Sequence, residues 1–335
     1  MLVEVSININ DAGQSAERYL RKYFVHMSLD RLQSLFRRKE IKIGRKPILR
    51  TQVLHAGDFV QVYGIRPEDL EPVEGAAEKP AQPQAEKIPA WLPQPFSISI
   101  LHEDKEILVL DKPGGMAVHP GTGIDPGHSL IEKVWEYLAP ERSVGEIFQP
   151  SLVHRLDKDT SGVIMVAKTG GSLRRLNSAM RDGSFYKRYL ALVEGVLDPP
   201  NGEISGLLQR VDSRTGGAKA EVSEADGKWS ITRYKTVKEF GNFSLLGVII
   251  ETGRMHQIRA HLAHAGHPLA GDPRYGDFEK NRSYKKKYGL RRTFLHAADL
   301  VIDLGTSGKK SFHSPLPKDL SGVIDKLKAE SQELS

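Results

Sequence analysis

The segment RPEDLEPVEGAAEKPAQPQAEKIPAWLPQP, residues 66–95, carries seven prolines and almost no apolar periodicity. Each proline fixes φ and removes a backbone donor, so neither a long helix nor a central strand can run through it. Residues 66–95 therefore read as a partly extended linker that divides the 335-residue chain into a head, 1–65, and a body, 96–320, with 321–335 as a C-terminal tail. The body alone is long enough to bury a substantial core.

In the head, the alternation of Val3, Val5, Ile7 and Ile9 predicts a strand. SAERYLRKYF and SLDRLQSLFRR predict two helices, the second with an apolar stripe of Leu29, Leu32, Leu35 and Phe36. Short strands are expected at EIKIG and DFVQVYG. Between Arg31 and Arg50, eight Lys and Arg residues face one acid, Glu40, and Arg37, Arg38 and Lys39 stand in a row. Such one-sided charge suits a phosphate backbone, with a solvated helix face as the bland alternative.

The whole chain leans the same way, with 48 Lys+Arg against 42 Asp+Glu, a net charge of +6. With no cysteine there is no disulfide framework, no thiol nucleophile and no thiolate metal site. The N-terminal MLVEVSININDAG lacks the basic-then-apolar layout of a signal peptide, and no stretch has the apolar length of a membrane span. The expectation is a cytoplasmic protein without a membrane partner.

The body shows strand patterns at FSISIL, EILVLDKP, GVIMVAK, YLALVEG, SITRYKTV and FSLLGVIIE. Helices are expected at SLIEKVWEYL, opened by a capping box of Ser129 and Glu132, and at GSLRRLNSAMRDG. The fold class is α+β, with no 20 to 50-residue repeat.

Two stretches concentrate polar chemistry. HRLDKDTSG, His154 to Gly162, places Asp157 between cations at the mouth of an apolar strand. TGRMHQIRAHLAHAGHPLAGD gathers His256, His261, His264 and His267 with Arg254 and Arg259. A metal site is not expected there: the histidines form no HExxH pair, no carboxylate lies in the helical part, and Ile258, Leu262 and Ala265 make a core stripe. A third stretch, KNRSYKKKYGLRR, interleaves Tyr284 and Tyr288 with seven Lys and Arg, which suits phosphates and unstacked bases or a solvated loop. Neither a GxxxxGK nor a GxGxxG motif is present, so no nucleotide cofactor is implied.

HRLDKDTSG resembles the HRLDxxTSG signature of the RluA-type family of RNA pseudouridine synthases. EDKEILVLDKPGGMAVHPG, KRYLALVEG and TGRMHQIRAHLAHAGHPLAGDPRYG support the resemblance in the family's order, over about Ser97 to Pro317. GRMHQIR stands where the family has GRTHQIR. The head is similar to the alpha-L RNA-binding domain, with KIGRK in place of the usual VNG.

The resemblance implies a mixed, mainly antiparallel sheet flanked by helices and loops, and a cofactor-free isomerisation of uridine to pseudouridine. Asp157 would attack C1′ or take the 2′ proton, and Arg259 would pair with it. Tyr189 would pack on the base and handle the C5 proton. Arg155 would fill the gap left by the extruded base, His154 would shape the loop, and His154, Arg155, Arg254 and His256 would meet RNA. Large-subunit ribosomal RNA is the expected substrate, with transfer RNA second, and the resemblance points to a monomer. An RNA-binding assembly factor with a silent site is the rival reading, and a metal-dependent nuclease a more distant one.

Overall fold

The computed structural model describes residues 1–70, 99–141, 148–212, 218–303 and 308–333. Most of the expected linker lies outside the described residues. Its opening does not: Pro67–Asp69 forms a 3-10 turn in which the Arg66 N–H donates to Asp69 Oδ2 at 2.8 Å. Arg31 pairs with the same carboxylate at 3.5 Å, so this turn is built into the head's edge.

The head comprises β1 (Val3–Ser6), α1 (Ala16–Tyr23), α2 (Leu29–Arg37), β2 (Ile41–Ile43), β3 (Lys46–Pro47) and β4 (Phe59–Val62). Its antiparallel sheet runs β1-β4-β2-β3. Ser15 and Ser28 cap the two helices by accepting from the N–H groups of Arg18 and Arg31, as serine does where the first helical donors lack partners. Tyr19, Leu20, Leu32 and Leu35 pack on Val5, Ile41, Val60 and Val62. Leu29, expected in the buried stripe, sits 39% exposed in the first turn of α2.

The remaining elements are β5 (Ser99–Glu103), β6 (Ile107–Lys112), α3 (Leu130–Leu138), β7 (Ser151–Leu152), β8 (Ser161–Ala167), α4 (Gly170–Arg181), β9 (Phe185–Glu194), β10 (Asn201–Asp212), β11 (Ala218–Ser223), β12 (Lys228–Phe240), β13 (Phe243–Ile250), α5 (Gln257–His264), α6 (Phe278–Tyr288), β14 (Leu295–Asp303), β15 (Lys309–His313) and α7 (Lys318–Glu333). The strands form one sheet in the order β11-β10-β12-β13-β9-β14-β8-β6-β5, with β15 beside β14 and β7 beside β8. Every pairing is antiparallel except β14 with β8, where the two halves of the sheet meet. The fold is therefore α+β, as the strand and helix patterns predict, with the mainly antiparallel sheet that the resemblance implies. At the start of α3 the Ser129 N–H donates to Glu132 at 3.0 Å, the glutamate half of the expected capping box, while the Ser129 hydroxyl donates to the same carboxylate at 2.5 Å.

Among the described residues, contacts divide the chain into two compact units. The first holds Met1–Ser97, Tyr137–Pro150 and Lys168–Arg174; the second holds Ile98–Glu136, Ser151–Ala167 and Arg175–Ser335. Two segments expected in the body thus group with the head, where Arg174 donates to Ala12 O at 2.8 Å. The expected C-terminal tail also differs: residues 321–333 continue α7, whose Leu320, Val323, Ile324 and Leu327 pack with Phe240, Phe243 and Phe294. Those spacings are a helical stripe, so burial of apolar area holds the segment in place.

Candidate active site

HRLDKDTSG forms the turn from β7 into β8, and its second half is held from several directions. Lys112, at the end of β6, has no exposed surface and donates its three hydrogens to the carbonyls of Pro113, Met116 and Lys158 at 2.8, 2.8 and 3.0 Å. Burial first, then the charge of Arg292, lowers its pKa to about 7. Arg292 donates to Asp159 O at 2.8 Å and Ser161 Oγ at 3.1 Å, while Asp319 accepts from its Nε at 2.7 Å. His296 contacts Ser161 Oγ at 3.0 Å and Ser314 O at 2.9 Å through its two ring nitrogens. Gly162 has φ +112, and a Cβ there would overlap the Ala297 carbonyl where β8 meets β14. These contacts fix the backbone beside Asp157.

The carboxylate itself meets a two-step brace. Arg259 on α5 donates from Nη1 to Asp157 Oδ2 at 3.1 Å. Its Nε and Nη2 bind Asp272 bidentately at 2.7 and 2.8 Å, and Asp272 is fully buried. Burial works against the Arg259 charge, but hydrogen bonds and charge from Asp272 and then Asp157 more than offset it and raise the pKa. Asp272 is fixed in turn by the N–H groups of Arg274 and Tyr275, at 2.9 and 3.1 Å. A buried cation shared by two carboxylates is compensated, and it can hold Asp157 in one orientation.

A cleft of about 740 Å³ opens over this pair, lined by Asp157, Arg259, Tyr189, Arg155, Arg254 and Lys187 among others. Tyr189 is on β9, between Val248 of β13 and Ala297 of β14, and its side chain is 4% exposed. Burial, then the Asp157 charge, pushes its hydroxyl pKa up, so it stays a neutral phenol at neutral pH. Arg155 is exposed and pairs with no acid among the described residues. Arg254 is also exposed; its backbone N–H donates to Gln257 Oε1 at 3.1 Å. Lys187, which sequence reasoning overlooked, lines the wall with its ammonium 5.7 Å from the Phe185 ring centre, and burial lowers its pKa to about 8.

His154 turns inward. Its Nε2 accepts the Met165 N–H at 3.2 Å and its ring meets Phe185 edge-on at 5.6 Å, which fits loop shaping rather than a direct RNA contact. Burial, then the charge of Lys187, lowers its pKa to about 3. His256 caps α5 with φ +52, an unfavourable backbone for a histidine, and this places Nε2 3.8 Å from Asp157 Oδ2 and Nδ1 3.1 Å from the Tyr275 hydroxyl. Burial, then Arg259 and Arg274, keep its pKa below the usual imidazole value against the pull of Asp157.

The remaining histidines do not converge. His261 faces Thr232 Oγ1 at 2.9 Å and His267 faces Glu194 O at 2.9 Å. Among the described residues, no three His, Asp or Glu side chains are placed to hold a metal ion.

The basic run of the head is partly spent inside it. Arg31 bonds Gly64 O and Asp69, Arg38 pairs with Glu40 at 3.2 Å, and Arg50 approaches Glu17 at 3.9 Å. Arg37 and Lys39 are exposed, with no acidic partner among the described residues. In the third basic stretch, Tyr284 and Tyr288 are not free to stack on bases: both pack edge-on against Phe243, at 5.0 and 5.8 Å. A tyrosine spacing of four on α6 marks its buried face, which charge counting hid.

Residues 106–264 match the family described as RNA pseudouridylate synthase. Over 326 residues, 97% of this chain and 96% of the relative, the sequence is 36% identical to ribosomal large subunit pseudouridine synthase C of Escherichia coli (strain K12). It is 32% identical to the protein of that name from Vibrio cholerae over 330 residues, 97% of this chain and 96% of the relative. The solved structure of human RNA pseudouridylate synthase domain containing 4 superposes with a TM-score of 0.55 at 23% identity, covering 69% of this chain and 93% of that one, a likeness of fold.

Proposed function

Because the chain belongs to the RNA pseudouridylate synthase family, we propose that it isomerises specific uridines of large-subunit ribosomal RNA, with Asp157 acting at the ribose. The observation that carries this reading is the Asp157–Arg259 pair at 3.1 Å in the floor of a cleft walled by Tyr189.

In the reaction the N1–C1′ bond breaks, the base turns, and a C5–C1′ bond forms while C5 loses its proton and N1 gains one. Asp157 supports this by attacking C1′ or by removing the 2′ proton, and both routes need an ionised, oriented carboxylate. Arg259 supplies both conditions. It stays charged, and its grip on Asp272 leaves Nη1 aimed at Asp157. Tyr189 offers a ring face to the base and a neutral hydroxyl for the C5 proton. A stacked uridine reaches this floor only by leaving its helix, and Arg155, exposed on the rim with no acidic partner among the described residues, is available to take its place. Arg254, His256 and Lys187 line the cleft and add positive or donor groups that can meet the target's phosphates. In the head, Arg37, Lys39, Arg45 and Lys46 are exposed cations without an acidic partner among the described residues, available to a phosphate backbone.

Each chain carries the complete set of Asp157, Arg259 and Tyr189, which is consistent with action as a monomer. A cytoplasmic address goes with a ribosomal RNA substrate. Among the described residues no helix is long and apolar enough to cross a membrane.

Carbodiimide mapping of pseudouridines in ribosomal RNA tests the proposal, using cells lacking the gene and rescued with wild type or Asp157→Asn. Specific stops should vanish on deletion and return only with wild type. If every large-subunit stop persists in the deletion, the substrate assignment is wrong.

A further inference from the structure

Helix α6, Phe278–Tyr288, has two faces of different character, and its inner face is fastened to the turn that holds Arg259. Asn281 donates from Nδ2 to Asp272 O at 2.8 Å and accepts the Gly271 N–H at 2.9 Å. It thus clamps the turn whose Asp272 carboxylate holds Arg259. Tyr284 and Tyr288 continue this inner face into the cluster with Phe243, Leu320 and Leu327. On the flanks, Lys280 is paired with Glu194 and Lys287 with Glu330.

The outer face is left over. Phe278, Arg282, Lys285 and Lys286 are spaced i, i+4, i+7 and i+8, within an arc of about 100° on the helix. All four are exposed, Phe278 by 77%, and the three cations have no acidic partner among the described residues. Favourable placement of cations in the last turn of a helix is worth up to about 1 kcal/mol each at an exposed site, and it applies to Lys285, Lys286 and Lys287. That effect accounts neither for an exposed phenylalanine nor for Arg282 in mid-helix. Three unpaired cations beside an exposed aromatic ring match the chemistry of a nucleic acid, with phosphates at one spacing and an unstacked base within reach.

We propose that the outer face of α6, formed by Phe278, Arg282, Lys285 and Lys286, docks RNA flanking the target uridine. The proposal rests on RNA being the substrate. The RNA segment so held takes its position from Asn281 and the 271–275 turn, and therefore from the same element that orients Arg259 and Asp157. A docking surface mounted elsewhere on the sheet would lack that registration.

The test uses the full-length protein and protein-free large-subunit ribosomal RNA, with affinity measured as a function of salt. The variant is Arg282→Glu/Lys285→Glu/Lys286→Glu. The control carries the same charge change at exposed sheet lysines, Lys228→Glu/Lys235→Glu/Lys238→Glu. Each lost phosphate contact flattens the log–log salt slope by about 0.9, so the α6 variant should lose about 2 to 3 while the control barely moves. Phe278→Ala should weaken binding with the salt slope unchanged, as loss of a stacking contact requires. If the α6 variant and the control have the same slope and affinity, the proposal is overturned, including the case in which this face instead serves an acidic protein.

Tritium release from uridine-5-³H RNA, run alongside, separates the two readings. A wild type that turns over while the α6 variant binds normally sinks only the docking surface. A wild type that never turns over while the α6 variant still loses its salt slope sinks only the catalytic reading and supports the surface.

Discussion

The two sides of Asp157 are built to different standards. On its C-terminal side, Lys158 O, Asp159 O and Ser161 Oγ are held by Lys112 and Arg292, and Gly162 lies against the Ala297 backbone. On its N-terminal side, His154 is tied inward to Met165, but Arg155 projects from the rim with no acidic partner among the described residues. A carboxylate that must meet one ribose atom gains from a fixed backbone, whereas a side chain that follows an extruded base gains from freedom. Rigidity and freedom are thus separated by two residues.

Breaking the rigid side should have the largest effect. Gly162→Ala forces a Cβ into the Ala297 carbonyl at a φ of +112, so urea unfolding should show a loss of about 3–5 kcal/mol or no folded protein. Next comes Arg259→Lys, which keeps the charge but cannot span Asp272 bidentately and reach Asp157 as well. Single-turnover kinetics should fall by roughly 100-fold or more, with a stability loss of about 2–4 kcal/mol as buried Asp272 loses half its partner.

A smaller, graded effect comes with acid. His154, lowered to about 3, and His261, lowered to about 4 by burial first and His264 second, stay neutral in the folded protein while the unfolded chain protonates near 6.5. The unfolded state therefore binds more protons between these values, and stability is lost as pH falls from about 6.5 towards 4. Each histidine contributes a slope of up to about 1.4 kcal/mol per pH unit, measurable by urea unfolding at stepped pH. Replacing His261 by Asn should reduce that slope; an unchanged slope would contradict the assignment.

The free side should give the smallest structural response. Arg155→Ala should leave the unfolding midpoint within about 0.5 kcal/mol of wild type and yet slow turnover on folded RNA more than on a short unstructured oligonucleotide. Equal slowing on both would remove Arg155 from any part in base extrusion.

How much of this was legible in the sequence follows from how local each feature is. The turn that presents Asp157 is a run of nine residues, and its chemistry could be read directly. Arg259 was assigned through the family resemblance, 102 positions away in the chain. The groups that hold them were not seen: Lys112, Asp272, Asn281 and Arg292 act through carbonyls and carboxylates brought close only by the sheet. β14, the strand on which the two halves of the sheet meet, reads LHAADLVID, and its alanines and near-complete burial erase the alternation that marks a strand. By contrast, the Leu320, Val323, Ile324 and Leu327 stripe of α7 stands at helical spacing in the sequence itself, across the expected boundary between body and tail at 320/321. On α6 the abundance of charge drew attention to the tyrosines as RNA contacts, although their spacing of four was the sign of a buried face.

The most direct test of the account is tritium release from uridine-5-³H ribosomal RNA by purified wild type and Asp157→Asn, with RNA affinity and thermal unfolding measured on the same preparations. Release is expected from wild type and none from Asp157→Asn, with closely similar affinity and unfolding temperature for the two. Release by Asp157→Asn at the wild-type rate would contradict it.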